Sequence, residues 1–577
     1  MKKESRRLVN CAALAICLVF IVLVYATLFQ SNDLKLPGNE GGYRLSDSRS
    51  NLWSENINID AVDSQEFLLR RLVRGDDRVR FESSGFSCHT DVHSEVFVAN
   101  KPVRIFNKGL TVYVPHDDQP QVKRIVKPYA RKEDETAMEL VSPVQILHGN
   151  STINPPPACN FTHNVTAVVF SSKGFTGNVF HELNEIIIPL FITTRHFRSR
   201  LKFVITDFEL RWVRKYNRVL SHLSGYDVIN PDDGSVHCFP GAVIGLKYHN
   251  NLAINITDIP GGYSMFDFKH FLKESYNLKT SHVSEIRKPV LMLISRRNSR
   301  RFLNEEDMVE MMEKLGFRVK RAEPEMMSNL DEFAEAVNTC SVMVGAHGAG
   351  LTNEIFLPTG AVMVQVVPLT LEWAATNYFG EPAKAMGLRY LEYTIEPEES
   401  SLFDAYGKDH PVISDPESVI SKGYYAHRAV YVDGQDLKIN LERFKKTLIE
   451  AKKILETSTP FNRKMGTTSV CSGPLLQNSL IHAGIVSIKI AMLVFLEAGR
   501  FNKGKPIVEV GSQSLTNWIN NPLQRPWTWW KALADIDVLS SQCESISFLF
   551  TPFPGNETAY WLARDGANRS ELFRAWW

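Results

Sequence analysis

The chain lacks charge of one sign: 65 Lys+Arg face 64 Asp+Glu over 577 residues, a net charge of +1. That balance provides no basic field for duplex nucleic acid and no acidic tail, so no nucleic-acid partner is expected. Cysteine is scarce, with eight residues whose wide, histidine-poor spacing fits no zinc site. There is no dinucleotide Gly-x-Gly-x-x-Gly run and no Walker loop, so those functions lose support. Asp-x-Asp occurs once, at Asp535 and Asp537 near the end. With 44% hydrophobic and 10% aromatic residues, the composition is ordinary and excludes a mainly disordered, collagenous or disulfide-knot chain.

Long apolar runs are equally rare. Cys11 to Phe29 is uncharged, and about 20 residues suffice to cross a bilayer core. Lys2, Lys3, Arg6 and Arg7 precede it against Glu4 alone, which holds the N-terminus on the cytosolic side. The apolar stretch exceeds the h-region of a signal peptide, and no small-x-small cleavage site follows. The expected layout is a cytosolic tail at 1–10, a transmembrane signal anchor at 11–29 and a polar stem at 30–84, with the remainder in the lumen of the secretory pathway. The next most apolar run, Ile485 to Leu496, carries Lys489. Six glycosylation sequons agree with a lumenal location: Asn150, Asn160, Asn164, Asn255, Asn556 and Asn568. Six cysteines would then lie in an oxidising compartment, although their pairing cannot be read from spacing. Short anchor, stem and large lumenal domain form the layout of a Golgi membrane enzyme.

From about Phe86, short β-rich runs alternate with longer helical ones. Ala167–Phe170, Lys202–Thr206, Pro289–Ile294, Ser341–Val344 and Ala361–Val367 read as buried strands. His181–Phe191, Asp207–Leu223, Glu305–Leu315 and Asp331–Val337 read as helices, and Leu437–Leu455 as a closing helix. The alternation predicts the α/β class with parallel sheets covered on both faces. It divides into two Rossmann-like lobes, about 85–284 and 285–455, followed by a polar linker at 456–468.

Three motifs carry chemistry. Val344-Gly-Ala-His-Gly-Ala-Gly-Leu-Thr-Asn-Glu354 follows a strand and opens a helix. Its glycines let the backbone approach a ligand, and amides at a helix start bind phosphate. His347 is placed to donate to a diphosphate or a sugar hydroxyl, and Asn353 and Glu354 to hold ribose or sugar hydroxyls. The competing reading is a turn that needs glycine for packing alone. The second motif, Ile294-Ser-Arg-Arg-Asn-Ser-Arg-Arg301, gathers Arg296, Arg297, Arg300 and Arg301 at a strand's C-terminal end. Forked donors there suit a pyrophosphate, and a solvated basic loop is the alternative. The third, Asn178-Val-Phe-His-Glu-Leu-Asn-Glu185, sets His181 and Glu185 four apart on one helix face. Either is a candidate base for an attacking hydroxyl, and a surface ion pair is the other reading. Tyr390, Tyr393 and the aromatics at 373, 378 and 379 read as a sugar platform or as core.

Taken together, Asn178-x-x-His181-x-x-x-Glu185, Ser295-Arg296 with Arg300 and Asn304, and His347-Gly-Ala-Gly-Leu-Thr-Asn353 running to Phe356-Leu-Pro358 resemble glycosyltransferase family 61, in its plant branch of xylan arabinosyl- and xylosyltransferases. The resemblance covers about residues 85–455. It implies a GT-B fold and inverting, metal-independent transfer of a pentose from UDP-arabinose or UDP-xylose to xylan, with no cofactor. Another branch of the family implies xylosylation of protein N-glycans, and a non-catalytic glycan-binding protein is a further alternative. The resemblance assigns the donor to Ser295, Arg296, Arg300, Asn304, His347, Gly348, Ala349, Gly350, Asn353 and Glu354, and the acceptor cleft to Asn178 and Glu182. It leaves His181 and Glu185 both matching the base.

After about residue 469 the sequence resembles part of the ribonuclease-H-like domain of plant retrotransposons, without its opening strands. The positions matching that family's metal-binding carboxylates read Gly484, Gly511 and Tyr560. Two-metal hydrolysis has no ligands there, so 469–577 is expected to be an inactive fusion or an artefact of gene prediction.

Overall fold

The structure, a computed structural model, describes residues 64–116, 120–150, 155–249, 251–254 and 263–457. Of the tail it describes 469–472, 484–489, 491–492, 507–526, 529–541, 546–551 and 573–576. The expected anchor, most of the stem, and Asn255, Asn556, Asn568 and Tyr560 lie outside the described residues. Among the described residues no helix is long and apolar enough to cross a membrane.

The strands before residue 285 are β1 Phe86–Thr90, β2 Glu95–Ala99, β3 Val103–Phe106, β4 Thr111–Pro115, β5 Val122–Val126, β6 Val144–Gly149, β7 Phe161–Thr162, β8 Thr166–Ser171, β9 Leu201–Thr206, β10 Val236–Phe239 and β11 Ala242–Ile244. They form two sheets, β1-β2-β11-β8-β9 and β5-β6-β4-β3-β10-β7. Side chains alternate across a strand, and the first sheet uses both faces. Phe97, Ala167 and Val169 pack against Val103, Ile105 and Val112 of the second sheet. Val96, Val98, Val168 and Phe170 pack against helices. This half therefore differs from the expected Rossmann-like alternation. The described residues of 86–149 are mainly strand with one short helix, Glu135–Glu139, so a second sheet covers a face where helices were expected. The physical reason lies in the strands of that second sheet. They are half-buried, and their polar outward residues break up the apolar runs that mark a parallel strand.

The second half is built on five parallel strands: β12 Val290–Ile294, β13 Arg318–Ala322, β14 Val342–Ala346, β15 Val362–Val367 and β16 Arg389–Thr394. Their order is β13-β12-β14-β15-β16. The three central strands are buried throughout, which is why they read as unbroken apolar runs. Helix Leu441–Thr457 covers one face through Phe444, Leu448 and Ala451. Helix Leu330–Asn338 covers the other through Phe333, Ala334 and Val337, and that core continues into helices of the first half. The closing helix starts at Leu441, later than expected, because Leu437 bridges to Phe302 and Ser400 in extended form. The expected helix 207–223 is broken at Tyr216 (φ −106°, ψ 15°), whose buried phenol donates to Glu182. The consequence for function is positional. The loops after β12, β14 and β15 emerge together at the carboxyl edge, where open α/β sheets bind ligands.

Cys159 and Cys238 form a disulfide closing a separation of 79 residues, while Cys88 and Cys340 are free thiols among the described residues. Beside the disulfide, Asn160 and Asn164 are exposed. Loop-closure entropy for such a span is about 4 kcal/mol. Cys238→Ser is therefore expected to lower the thermal midpoint under oxidising conditions and to leave it unchanged under strong reductant. Paired melts of wild type and variant check this.

The described parts of the tail share a small core of Ile485, Leu515, Ile519, Ile536 and Phe548, around parallel segments Ile507–Val510 and Ser547–Phe550. Gly484 lies against Leu515. The Asp-x-Asp pair is divided between separate cations, Asp535 on Lys489 and Asp537 on Arg525.

Candidate active site

After β14 the chain turns through Gly348 into the 3₁₀ helix Ala349–Phe356. Gly348 has φ 147°, a region that favours glycine, and a Cβ there would lie 2.5 Å from an Arg296 guanidinium nitrogen and 3.3 Å from one of Arg300. The other two glycines of the motif are packing residues. A Cβ at Gly345 would meet Leu351 at 2.7 Å, and one at Gly350 would meet Ile294 at 3.0 Å. Gly348 thus makes room for two arginine side chains, and Gly345 and Gly350 for apolar ones.

The arginine run after β12 also divides. Arg300 adopts φ 55°, and its guanidinium donates to the His347 carbonyl at 2.9 Å. Arg296 is held by the Ser299 carbonyl at 2.8 Å. These two flank Gly348, whereas Arg297 pairs with Glu323 and Glu325 and Arg301 with Asp436, all on the surface. Burial lowers the pKa of Arg300 to about 10, with Arg296 adding to the shift and Asp433 opposing it. Arg300 Nε is buried with no partner among the described residues. Ser295 donates to Glu305 at 2.7 Å, and Asn304 bonds both polar backbone groups of Ile439 at 2.9 Å. Both therefore brace the loop.

His347 is 8% exposed, and its ring Nδ1 lies 2.8 Å from the Gln365 amide nitrogen. Tyr390 donates to the Gln365 amide oxygen at 2.8 Å, which orients that amide so that it donates to Nδ1 and leaves the proton of a neutral imidazole on Nε2. Burial, then Arg300 and Arg296, push the His347 pKa down to about 3, so the ring is a neutral donor at working pH. Asn353 donates to the Gly350 carbonyl at 2.9 Å, and its Oδ1 has no partner among the described residues. Glu354 does not match its expected role. It is fully buried, and burial raises its pKa well above the usual carboxylate range, so the structure keeps it from sugar hydroxyls.

Across from this loop lies the third motif. Asn178 caps its helix by accepting from Phe180 N at 3.0 Å. The chain then passes through a π-helical turn, Glu182–Ile187, a wide turn frequent at functional sites. Glu182 is 3% exposed and occupied by Gly177 N, Lys215 and Tyr216, so it braces the turn and does not line a cleft. Glu185 is fully buried and bonds His181 Nδ1 at 2.7 Å, Tyr129 at 2.5 Å and Arg131 at 3.1 Å. Burial alone would raise its pKa, but these three partners together hold it below the usual range. The side chain of His181 is 24% exposed. Ring contacts join the two sides: His181 to Phe180 at 5.4 Å, Phe180 to Phe379 at 5.9 Å and Phe379 to His347 at 5.4 Å.

Sequence reasoning missed Tyr129 and Arg131, which lie some fifty residues before Glu185 and carry no local signal. It also missed Gln365, although a lone glutamine inside the apolar strand Val362–Val367 is a visible signal. Of the aromatic candidates, Phe379 and Tyr393 are core and Tyr390 is tied to Gln365, whereas Trp373 remains 66% exposed.

The family model described as Glycosyltransferase 61 matches residues 179–364, a span holding the arginine and glycine motifs and all of the third but Asn178. An alpha-1,3-arabinosyltransferase, XAT3, of Oryza sativa subsp. japonica is 40% identical over 333 residues, covering 56% of this chain and 57% of its own. The rice beta-1,2-xylosyltransferase XYXT1 is 36% identical over 371 residues, covering 63% and 79%. The xylan glycosyltransferase MUCI21 of Arabidopsis thaliana is 35% identical over 344 residues, covering 56% and 70%. The chain thus spans little more than half the length of the rice arabinosyltransferase it matches.

Proposed function

Given that this chain belongs to glycosyltransferase family 61, we propose that it transfers a pentose, arabinose or xylose, from a UDP-sugar to a hydroxyl of xylan with inversion. The observation that carries this reading is the meeting of Arg296, Arg300 and neutral His347 at the start of helix Ala349–Phe356. Two guanidinium groups, an imidazole N–H and helix-start amides suit a diphosphate, and the unpartnered Arg300 Nε suits an anionic oxygen. The activities named for the relatives support the pentose and the acceptor.

In the proposed step, the acceptor oxygen attacks the anomeric carbon in line with the departing UDP. His181 accepts the hydroxyl proton, the new glycosidic C–O bond forms, and the bond to the diphosphate breaks with its electron pair on UDP. Glu185 is buried and three times bonded, so it positions His181 and holds its rising charge; the partly exposed imidazole is the base. The two sheet-based halves are consistent with a GT-B arrangement. The disulfide fits an oxidising lumen, and with the apolar run at 11–29 it supports a Golgi membrane location.

With cationic side chains at the leaving group, no divalent ion is assigned a role. Transfer from UDP-arabinose or UDP-xylose to xylan oligomers is expected to persist at full rate in excess EDTA. UDP is expected to raise the melting temperature of the chain with or without Mn²⁺. A rate that disappears in chelator and returns with Mn²⁺ would overturn the metal-free step.

A further inference from the structure

Exposed apolar side chains gathered on one face mark interaction sites more often than single ones do. Trp373, Tyr424 and Tyr425 are 66%, 65% and 79% exposed. They belong to two segments brought together at one edge of the second half. Trp373 follows the end of β15, and Tyr424 and Tyr425 open helix Tyr424–His427. A bond of 2.9 Å between Thr370 Oγ1 and His427 Nε2 ties the segments. Thr370 itself holds φ 68°, a strained backbone for a β-branched residue, which fixes the direction in which the chain leaves β15.

The rim is continuous with the candidate active site. Trp373 meets Tyr378 edge-on at 5.6 Å, Tyr378 meets Phe180 at 5.4 Å, and Phe180 meets His181 at 5.4 Å. Tyr378 sits in a π-helical turn, Thr376–Gly380, and a third such turn, Arg428–Val432, follows Tyr424–His427. Burial raises the Tyr378 pKa, while Arg131, the partner of Glu185, acts against that rise and Tyr424 adds to it. The two tyrosines and the catalytic-side arginine thus share one field. Arg428 pairs with Asp433 and Lys384 with Glu381, and the exposed Glu372 and Lys422 beside the rings carry opposite charges, so the rim offers no strong field to an anionic polymer.

We infer that Trp373, Tyr378, Tyr424 and Tyr425 form the acceptor-binding surface, on which an uncharged polysaccharide chain lies with its sugar faces against the rings while one hydroxyl reaches His181. Pyranose rings present apolar C–H faces that stack on aromatic planes, with hydroxyls left to water. A surface of several rings engages several sugars at once, so the enzyme favours long acceptors over short ones. The inference rests on the transfer reading above and deepens it.

The test uses the full chain with Trp373→Ala and a Tyr424→Ala/Tyr425→Ala double variant, with xylohexaose and xylobiose as probes. Each variant is expected to weaken xylohexaose binding and raise its KM by about tenfold. The saturating kcat and the affinity for UDP stay within about twofold, and the weak response to xylobiose changes little. Unchanged xylohexaose binding in both variants overturns the rim, as does a fall in kcat with KM unaltered. Loss of self-association by light scattering with glycan binding intact also overturns it, by assigning the face to a second copy. If wild type binds xylohexaose through Trp373 but transfers no pentose from either donor, the rim stands and the transfer reading falls.

Discussion

Replacing His181 with alanine is expected to lower kcat by about 10²–10⁴-fold, the usual share of a general base, while UDP still raises the melting temperature as in wild type. The prediction follows from an asymmetry within the pair. Glu185 has no exposed surface and gives its oxygens to His181, Tyr129 and Arg131, whereas the imidazole reaches the open side. A carboxylate so engaged is a poor proton acceptor, but it fixes the ring and compensates its charge. Glu185→Gln keeps the volume and removes the charge. It is expected to reduce kcat less than His181→Ala does. Equal turnover in wild type and His181→Ala removes the imidazole from the reaction.

The second large effect concerns the leaving group. Arg300→Ala is expected to lower kcat by about 10²–10³-fold, as for removal of one donor aimed at developing charge, and to weaken UDP binding. Arg300→Lys is not expected to rescue it, since an ammonium cannot hold the His347 carbonyl and present a second donor in the same plane. Arg297→Ala and Arg301→Ala serve as matched controls. Their partners, Glu323, Glu325 and Asp436, form surface pairs worth little, so activity stays within about twofold. Steady-state kinetics on the four variants separates a built phosphate site from a generally basic loop. Equal losses at all three positions would favour the latter.

The arginine run shows what was legible in the sequence and what was not. Four guanidinium groups at a strand end were read there as one cluster, and the structure places the run after β12, at the carboxyl edge of the parallel sheet. Which two turn inward is set by the positive φ of Arg300 and by acidic residues far along the chain, neither of which spacing reveals. The central strands β12, β14 and β15 were readable because burial on both faces leaves them uniformly apolar. The sheet of β3 to β6 was not, because half-buried strands mix lysine, arginine and tyrosine among their valines. Likewise, Glu185 looked like one member of a helix-surface pair. Only tertiary contact with Tyr129 and Arg131 makes it a buried anchor.

The wide turn at Glu182–Ile187 bears on how related chains should be aligned. Each residue advances an α-helix by about 100°, so removing the one extra residue of this turn would rotate His181 by that angle relative to Leu190 and the apolar stripe beyond it. A relative carrying a single-residue gap just after the glutamate would keep the histidine and the glutamate together on one helix face yet turn both by that angle away from the packed residues beyond, and its motif would be intact only on paper.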